Sequence, residues 1–453
     1  MKSEYRGSIH QRQKELMTRW YERLENAGDG VAMMISGNCI ELLQAFDLPP
    51  FYPEINALQL AIRHQSLEPI LAAEEMGYAA DNCAYVKADV GAWLKGITPT
   101  GRPLAHPALV LCNFVGCNTY VKWFEHTAAL TGAPLYVLDV PFLRDGEPTA
   151  DAVTYVVRQL REVIARLEKI SGQRFDIDRL REAVANAAAV EDAWSKIKHL
   201  CRNTPAPFDA YFDAITLMGP LYVYRASREG VEFFNAALDE IQQKVDRNEG
   251  VYDAERFRIV VEGPPPYSHF RNFRDMFAKW KAVAVASTYS TVGGLWEFGF
   301  RHDPDEPLES IARHMLEYNV TNRNYLQRYD QIERYLREWN ADGIVIHFVK
   351  SCRLFSAGQG DMRDYFTRQH DVPTLYIESD LEDPRYFSEA QIKNRVDAFF
   401  EALEHRKTVV GSQLSVVPAH RSDNRQLTTD NAPKAPSDNA PKVPSDNAPK
   451  VLK

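Results

Sequence analysis

The chain has 453 residues, 45% hydrophobic and 25% charged, with a formal net charge of −9. That length supports two or three domains with substantial cores, and the composition is that of a globular protein. The acidic balance argues against a nucleic-acid partner, since phosphate binding needs concentrated positive charge, and no apolar run approaches the roughly 20 residues that span a bilayer.

The opening segment, MKSEYRGSIHQRQKELMTRWYERL, is polar and amphipathic and lacks the apolar stretch of a secretory signal. A cytoplasmic location is therefore expected, where thiols stay reduced. Six cysteines are too few for a disulfide scaffold, so each is a candidate core residue, ligand or nucleophile.

In chain order, the pattern predicts an N-terminal helix over roughly 8–27, within a segment 1–30. A first α/β region (31–150) follows. Its strands are AMMIS (32–36), ALVLCNF (108–114) and PLYVLDV (134–140). Continuous apolar runs separated by helix-like stretches read as parallel strands buried on both faces. A helical region (151–255) holds amphipathic segments at about 151–170, 176–200 and 228–246, with Asp176 or Asp178 as cap of the second.

A second α/β region (256–405) carries RIVVEG (258–263), AVAVAST (282–288), GIVIHF (343–348) and TLYIES (374–379), closed by a helix over about 388–405. The fold class expected is α/β: two doubly wound parallel-sheet domains around a helical insertion, with a cleft at their strand ends. The remainder, 406–453, repeats DNAPK at 430–434, 438–442 and 446–450. It holds almost nothing to bury, so a disordered tail is expected.

Three cysteines share one setting. Cys117 follows the strand ALVLCNF and starts the helix-like NTYVKWFEH. Cys352 follows GIVIHF and a short link. Cys83 precedes the helix-like AYVKADVGAWL. Two of them therefore sit at the strand-end edge where open α/β sheets place ligands, and helix N-termini favour thiolates. Three such thiolates brought together would suit an iron–sulfur cluster with its fourth iron open or held by another ligand. Zinc sites usually show a closely spaced pair, and the one close pair here includes Cys112, inside an apolar strand. Three unrelated buried thiols fit the spacing as well. Cys39, in SGNCIELLQAF, starts another strand-to-helix junction and is a candidate fourth ligand or a packed thiol. Cys201 receives no role.

GxxxxGK[ST], HExxH, GxSxG and GxGxxG are all missing from the sequence, so no P-loop for ATP is present. SAGQGD (356–361) reads as a simple turn. VEGPPP (261–266) and STVGGL (290–295) each follow a strand, and are either ordinary loops or bring backbone N–H groups to a ligand.

Several long stretches, in order, resemble the family of benzoyl-CoA reductases and 2-hydroxyacyl-CoA dehydratases. They are CAYVKADVG (83–91), GCNTYVKWFE (116–125), FDIDRLREAV (175–184), FDAYF (208–212), VVEGPP (260–265), GGLWEFGFRHDPDEPL (293–308), KSCRLFSAGQ (350–359) and ESDLEDPRYFSEAQIKNR (378–395). Within the family the likeness is to the B-type subunits of ATP-dependent benzoyl-CoA reductases.

The resemblance implies a 4Fe-4S cluster held by Cys83, Cys117 and Cys352. It implies reduction of benzoyl-CoA to cyclohexa-1,5-diene-1-carbonyl-CoA by single electrons from reduced ferredoxin. It also implies a paralogous substrate-side subunit and two ATPase subunits that bind the ATP. Some relatives carry a cysteine near LEYNVTNRN (316–324), and this chain has none there, which leaves its fourth cluster ligand open. His347, Tyr120 and Tyr289 are candidate proton donors or packed core residues. Lys87, Lys122 and Arg301 are candidates for the CoA phosphates or for solvated surface. A dehydratase subunit and a non-catalytic scaffold subunit are the alternatives.

Overall fold

The apolar strand segments form two parallel four-stranded sheets in the computed structural model of the chain. The structure describes residues 8–414, apart from 29, 36–38, 97, 105, 115–116, 144–145, 291–295, 318–321, 323 and 325. It divides into units 1–405 and 406–453, and both sheets lie in the first.

The first half runs α1 (Ser8–Asn26), β1 (Val31–Met34), α2 (Ile40–Ala45), β2 (Pro50–Phe51), α3 (Pro53–Ile62), α4 (Leu67–Glu75), α5 (Ala84–Lys95), β3 (Pro107–Phe114), α6 (Asn118–Thr131) and β4 (Leu135–Asp139). Leu16, Trp20 and Leu24 recur every fourth residue, which puts them on one face of α1, and all three are buried. Trp20 donates its indole N–H to the Pro50 carbonyl at 2.9 Å. The strand order is β2-β1-β3-β4. Met34 pairs with Leu111, and Leu111 with Tyr136, all in parallel. Gly91 is fixed by close packing: a Cβ there would lie 1.8 Å from the Pro69 carbonyl oxygen, so α5 can meet α4 only through glycine.

Four helices follow: α7 (Ala150–Ser171), α8 (Ile177–Leu200), α9 (Phe212–Tyr224) and α10 (Arg228–Asp246). Thr149 caps α7, Asp176 caps α8 by accepting from the Asp178 and Arg179 N–H groups, and Ser227 caps α10. Helix α8 links two cores. Leu180, Ala183 and Val184 pack with the first sheet, and Trp194 and Ile197 with the second.

The second half comprises β5 (Phe257–Glu262), a 3-10 turn (Tyr267–His269), α11 (Phe270–Ala278), β6 (Ala282–Ser287), α12 (Pro307–Glu317), α13 (Gln327–Glu338), β7 (Gly343–Val349), α14 (Arg353–Ser356), α15 (Gln359–Asp364), β8 (Thr374–Ser379) and α16 (Glu389–Leu414). Its order is β6-β5-β7-β8. Strands β5 and β6 are buried at every position, as parallel strands covered on both faces must be.

The expected fold class is found, with some differences of detail. Strand β2 has only two residues and left no periodic trace. Helix α9 is apolar on nearly all sides and contains Pro220, so it shows no 3.6-residue alternation. SAGQGD is not a simple turn. Ser356 ends α14, Gly358 sits at φ +83, and Gln359 opens α15. The closing helix continues to Leu414. The tail expected to be disordered lies, from 415 on, outside the described residues. No helix among the described residues is long and apolar enough to cross a membrane.

Candidate active site: three thiols on one cavity

Cys83, Cys117 and Cys352 are the N-cap residues of α5, α6 and α14. All three line one cavity of about 1660 Å³, beyond the C-terminal ends of β3 and β7. This is the sheet edge where open α/β folds place their ligands. The Val86 and Tyr85 N–H groups donate to the Cys83 sulfur, and the Phe355 and Leu354 N–H groups to that of Cys352.

These N–H groups favour thiolate, but burial outweighs them. It pushes the Cys83 thiol well above its ordinary value and that of Cys352 to about 11. The thiols also oppose one another's ionisation: Cys352 and Cys117 act on Cys83, and Cys117 acts on Cys352. A positive centre among them would reverse both penalties, since a coordinating thiol gives up its proton. The donor types therefore fit an iron–sulfur cluster. Among the described residues, however, no group of three or more His, Cys, Asp or Glu side chains is arranged as a ligand set. Holding a cluster requires the thiols to turn toward one another.

Two of the cysteines are tied together through their neighbours. Ala84 donates its N–H to the Ser351 hydroxyl at 3.1 Å, and Ser351 donates its own N–H to Asp380 at 3.0 Å. The start of α5 is thus fastened to the loop that carries Cys352. An ion network reinforces the seam. Lys87 on α5 meets Glu74 at 2.8 Å and Asp383 at 4.0 Å, and Arg385 meets Glu74 at 2.5 Å and Asp383 at 2.6 Å.

The cavity has two kinds of wall. Lys14, Arg63, His64, Arg102, Arg271 and Arg274 line it, with the carboxylates of Glu54 and Asp213 also present. Near the thiols it is aromatic and apolar: Tyr85, Tyr267, Tyr289, Phe355 and Leu381 line that part, with Cys352 packed in the same cluster. The Tyr267 and Tyr289 hydroxyls are 2.8 Å apart, and both also bond to Tyr85.

Of the other residues singled out in the sequence, Tyr120 and Tyr289 reach the cavity. Tyr120 stacks on Trp123 with ring centroids 5.7 Å apart. His347 is not among the lining residues. It is wholly buried, its Nδ1–H donates to the Pro264 carbonyl, and its Nε2 accepts from Ser379 at 2.6 Å. Burial holds it neutral, with its pKa lowered to about 4. Every position of β7 except Phe348 is buried, and His347 points into the core.

Cys39, which caps α2, is not among the lining residues either. It is fully buried, with its thiol pushed up to about 12 by burial. Cys112 is buried in β3, and the Cys201 thiol donates to the Phe208 carbonyl at 3.3 Å. Lys87 is a buried seam residue and unavailable to a phosphate. Lys122 is exposed and pairs with Glu125 at 2.6 Å, while Arg301 bonds the Trp296 carbonyl at 2.7 Å. In VEGPPP, Pro264, Pro265 and Pro266 carry no N–H to offer a ligand. Gly263 takes φ +94 where a Cβ would come within 2.7 Å of the His347 carbonyl oxygen. STVGGL lies, from 291 on, outside the described residues.

The arginines of the cavity and the pair Tyr85 and Tyr267 escaped sequence reasoning. Tyr85 carried a signal, two residues after a candidate ligand. The arginines come from separate segments that only the tertiary fold unites.

Fold and site define a paired α/β protein with a thiol-lined, partly basic cavity. The family model of 2-hydroxyglutaryl-CoA dehydratase, D-component, matches residues 37–403, and the chain belongs to that family. It is 40% identical over 410 residues to the B-type subunit of benzoyl-CoA reductase from Thauera aromatica, covering 88% of this chain and 95% of that one. Identity to the (R)-2-hydroxyisocaproyl-CoA dehydratase alpha subunit of Clostridioides difficile is 28% over 369 residues, 81% and 88% of the two chains. For the (R)-phenyllactyl-CoA dehydratase alpha subunit of Clostridium sporogenes it is 25% over 382 residues, 84% and 91%. The family is one of enzyme subunits, of reductase and dehydratase type.

Proposed function

We propose that this chain is the iron–sulfur, substrate-side subunit of an ATP-dependent benzoyl-CoA reductase. The observation that carries the reading is the single cavity shared by Cys83, Cys117 and Cys352. The comparisons favour this substrate, with 40% identity to the reductase subunit against 28% and 25% to the two dehydratase subunits.

In this reading the three cysteines hold a 4Fe-4S cluster. When bound, the cluster would supply single electrons at the low potential that breaking ring aromaticity demands. The electrons would come from reduced ferredoxin through two ATP-hydrolysing partner subunits, with a paralogous subunit completing a heterotetramer. ATP would be bound by those partners and not by this chain.

Arg63, Arg102, Arg271, Arg274 and Lys14 would meet the CoA phosphates, a task suited to guanidinium groups. Phe355, Leu381 and the tyrosine rings would surround the benzoyl ring and exclude water. Tyr120 and Tyr289 stand on the wall as candidate proton donors, and the product would be cyclohexa-1,5-diene-1-carbonyl-CoA. All six cysteines are free thiols, which suits a reducing cytoplasm.

A second reading, an ATP-dependent 2-hydroxyacyl-CoA dehydratase subunit, is favoured by the family model itself. The two separate on substrate. The complex assembled with its partners, given ATP and reduced ferredoxin, is expected to convert benzoyl-CoA to the dienoyl-CoA. Conversion of an (R)-2-hydroxyacyl-CoA to its enoyl-CoA, with benzoyl-CoA untouched, would overturn the reductase reading.

A further inference from the structure

We propose that the Tyr267–Tyr289 hydroxyl pair holds the thioester carbonyl of the acyl-CoA at the thiol end of the cavity. The inference rests on the acyl-CoA reading above and names the group that this wall receives.

The two tyrosines reach the cavity from separate strands of the second sheet. Tyr267 opens the 3-10 turn that follows β5, and its N–H donates to the Leu381 carbonyl at 2.7 Å. Tyr289 comes two residues after β6. There the Thr288 N–H donates to the Val261 carbonyl at 3.2 Å, and the Tyr289 N–H to the Ser287 hydroxyl at 3.1 Å. The Phe355 ring meets Tyr289 edge-on, with centroids 6.0 Å apart. Both backbones are therefore pinned, and the two hydroxyls come to 2.8 Å, an ordinary O–H···O bond.

The surroundings indicate what such a pair receives. Both tyrosines line the cavity, and Cys352 packs in their apolar cluster. Ile62, Ile215, Phe355 and Leu381 also line the cavity and are apolar, whereas a phosphate is served by its arginines. An apolar wall with a hydroxyl pair suits an uncharged, apolar group that carries a hydrogen-bond acceptor. The aryl thioester of benzoyl-CoA is such a group, and its acceptor is the carbonyl oxygen.

Between them the hydroxyls carry two protons. One bridges the pair, and the other turns to the best acceptor beside it. A carbonyl oxygen accepts more strongly than a phenol oxygen, so it takes that proton in preference to a neighbouring tyrosine. Ring reduction spreads negative charge onto the same oxygen. A charged acceptor in an apolar setting is held more tightly than a neutral one, so the grip strengthens as the reaction begins. No O–H bond breaks in this role. Tyr289 keeps its proton, which leaves Tyr120 as the candidate proton donor of the wall.

The test is isotope-edited infrared spectroscopy of the assembled complex, unreduced and without ATP, holding benzoyl-CoA labelled at its carbonyl carbon. The carbonyl stretch of the bound ligand is expected to move to higher wavenumber in Tyr289→Phe, and further when Tyr267→Phe is added. In equilibrium binding, Tyr289→Phe should weaken benzoyl-CoA by about three- to tenfold, the worth of one hydrogen bond. Benzyl-CoA, a thioether with the same ring and no carbonyl, should bind wild type and variant alike. An unmoved carbonyl band, or equal weakening of both ligands, would overturn the proposal. If the double variant does not assemble, Tyr289→Phe, at the less buried of the two positions, decides alone. A wild-type complex that ignores benzoyl-CoA but binds an (R)-2-hydroxyacyl-CoA would sink the reductase reading instead. The carbonyl band of that thioester, in wild type against Tyr289→Phe, would then decide the carbonyl site. Binding of neither thioester would overturn both.

Discussion

The two sheets place a cysteine at the same topological point and support it in different ways. In each, the strand third in the order is followed by a helix-capping cysteine three residues on: Phe114 to Cys117 after β3, and Val349 to Cys352 after β7. Cys117 heads a helix of 14 residues, whose own packing holds its first turn. Cys352 heads a helix of only 4, and its loop is fastened from outside by Ser351, Asp380 and the start of α5. Topology thus fixes where a cysteine stands, and neighbouring side chains fix how firmly. Cys83 belongs to both arrangements, being the cap of a 12-residue helix and one end of the tie to Cys352.

The largest effect that would break this comparison is loss of either cysteine. Cys117→Ser and Cys352→Ser are each expected to abolish the iron–sulfur signal and turnover, measured as iron content and electron paramagnetic resonance of the reduced complex. Retention of both in one variant would remove that cysteine from the site. Next comes the seam. Lys87→Ala takes the buried cation out of the network and leaves Glu74 and Asp383 to the partly exposed Arg385 alone. It is expected to cost about 3 kcal/mol in denaturant unfolding. Lys122→Ala, at an exposed pair, should stay within about 0.5 kcal/mol and serves as the control.

A third prediction concerns two buried acids. Burial raises Asp89 on α5 and Asp209, whose carboxyl accepts from the Ala284 N–H of β6, from 3.8 to about 7. For an acid with a raised pKa, the folded state holds the proton more tightly than the unfolded one. Its stabilising effect is complete below about pH 4 and is lost as the pH rises through about 7. The isolated chain should therefore melt at a lower temperature at pH 8 than at pH 5 by calorimetry, and the reverse order would contradict these shifts. The smallest effect belongs to the tie. Ser351→Ala is expected to cost about 1 kcal/mol and to shift the cluster's midpoint potential with iron retained. The matching Asn118→Ala, beside Cys117, should leave the potential unmoved, since α6 holds itself.

Much of this was legible in the sequence. Uniform apolar runs disclosed every strand but the two-residue β2, strand-to-helix junctions marked Cys117 and Cys352, and the helix-like segment after it marked Cys83. What misled were residues whose fate depends on distant partners. Lys87 reads as a surface cation until Glu74 and Asp383 close on it. His347 reads as a strand-end donor, yet its strand is covered on both faces and Pro264 and Ser379 occupy its ring.

The measurement that bears most directly on the account is electron paramagnetic resonance of the reduced, iron-reconstituted chain, recorded anaerobically with and without benzoyl-CoA. A cubane-type signal that changes when benzoyl-CoA is added, and vanishes in Cys117→Ser, is the predicted result. A well-folded chain that takes up no cluster, even when produced with its partner subunits, would contradict it.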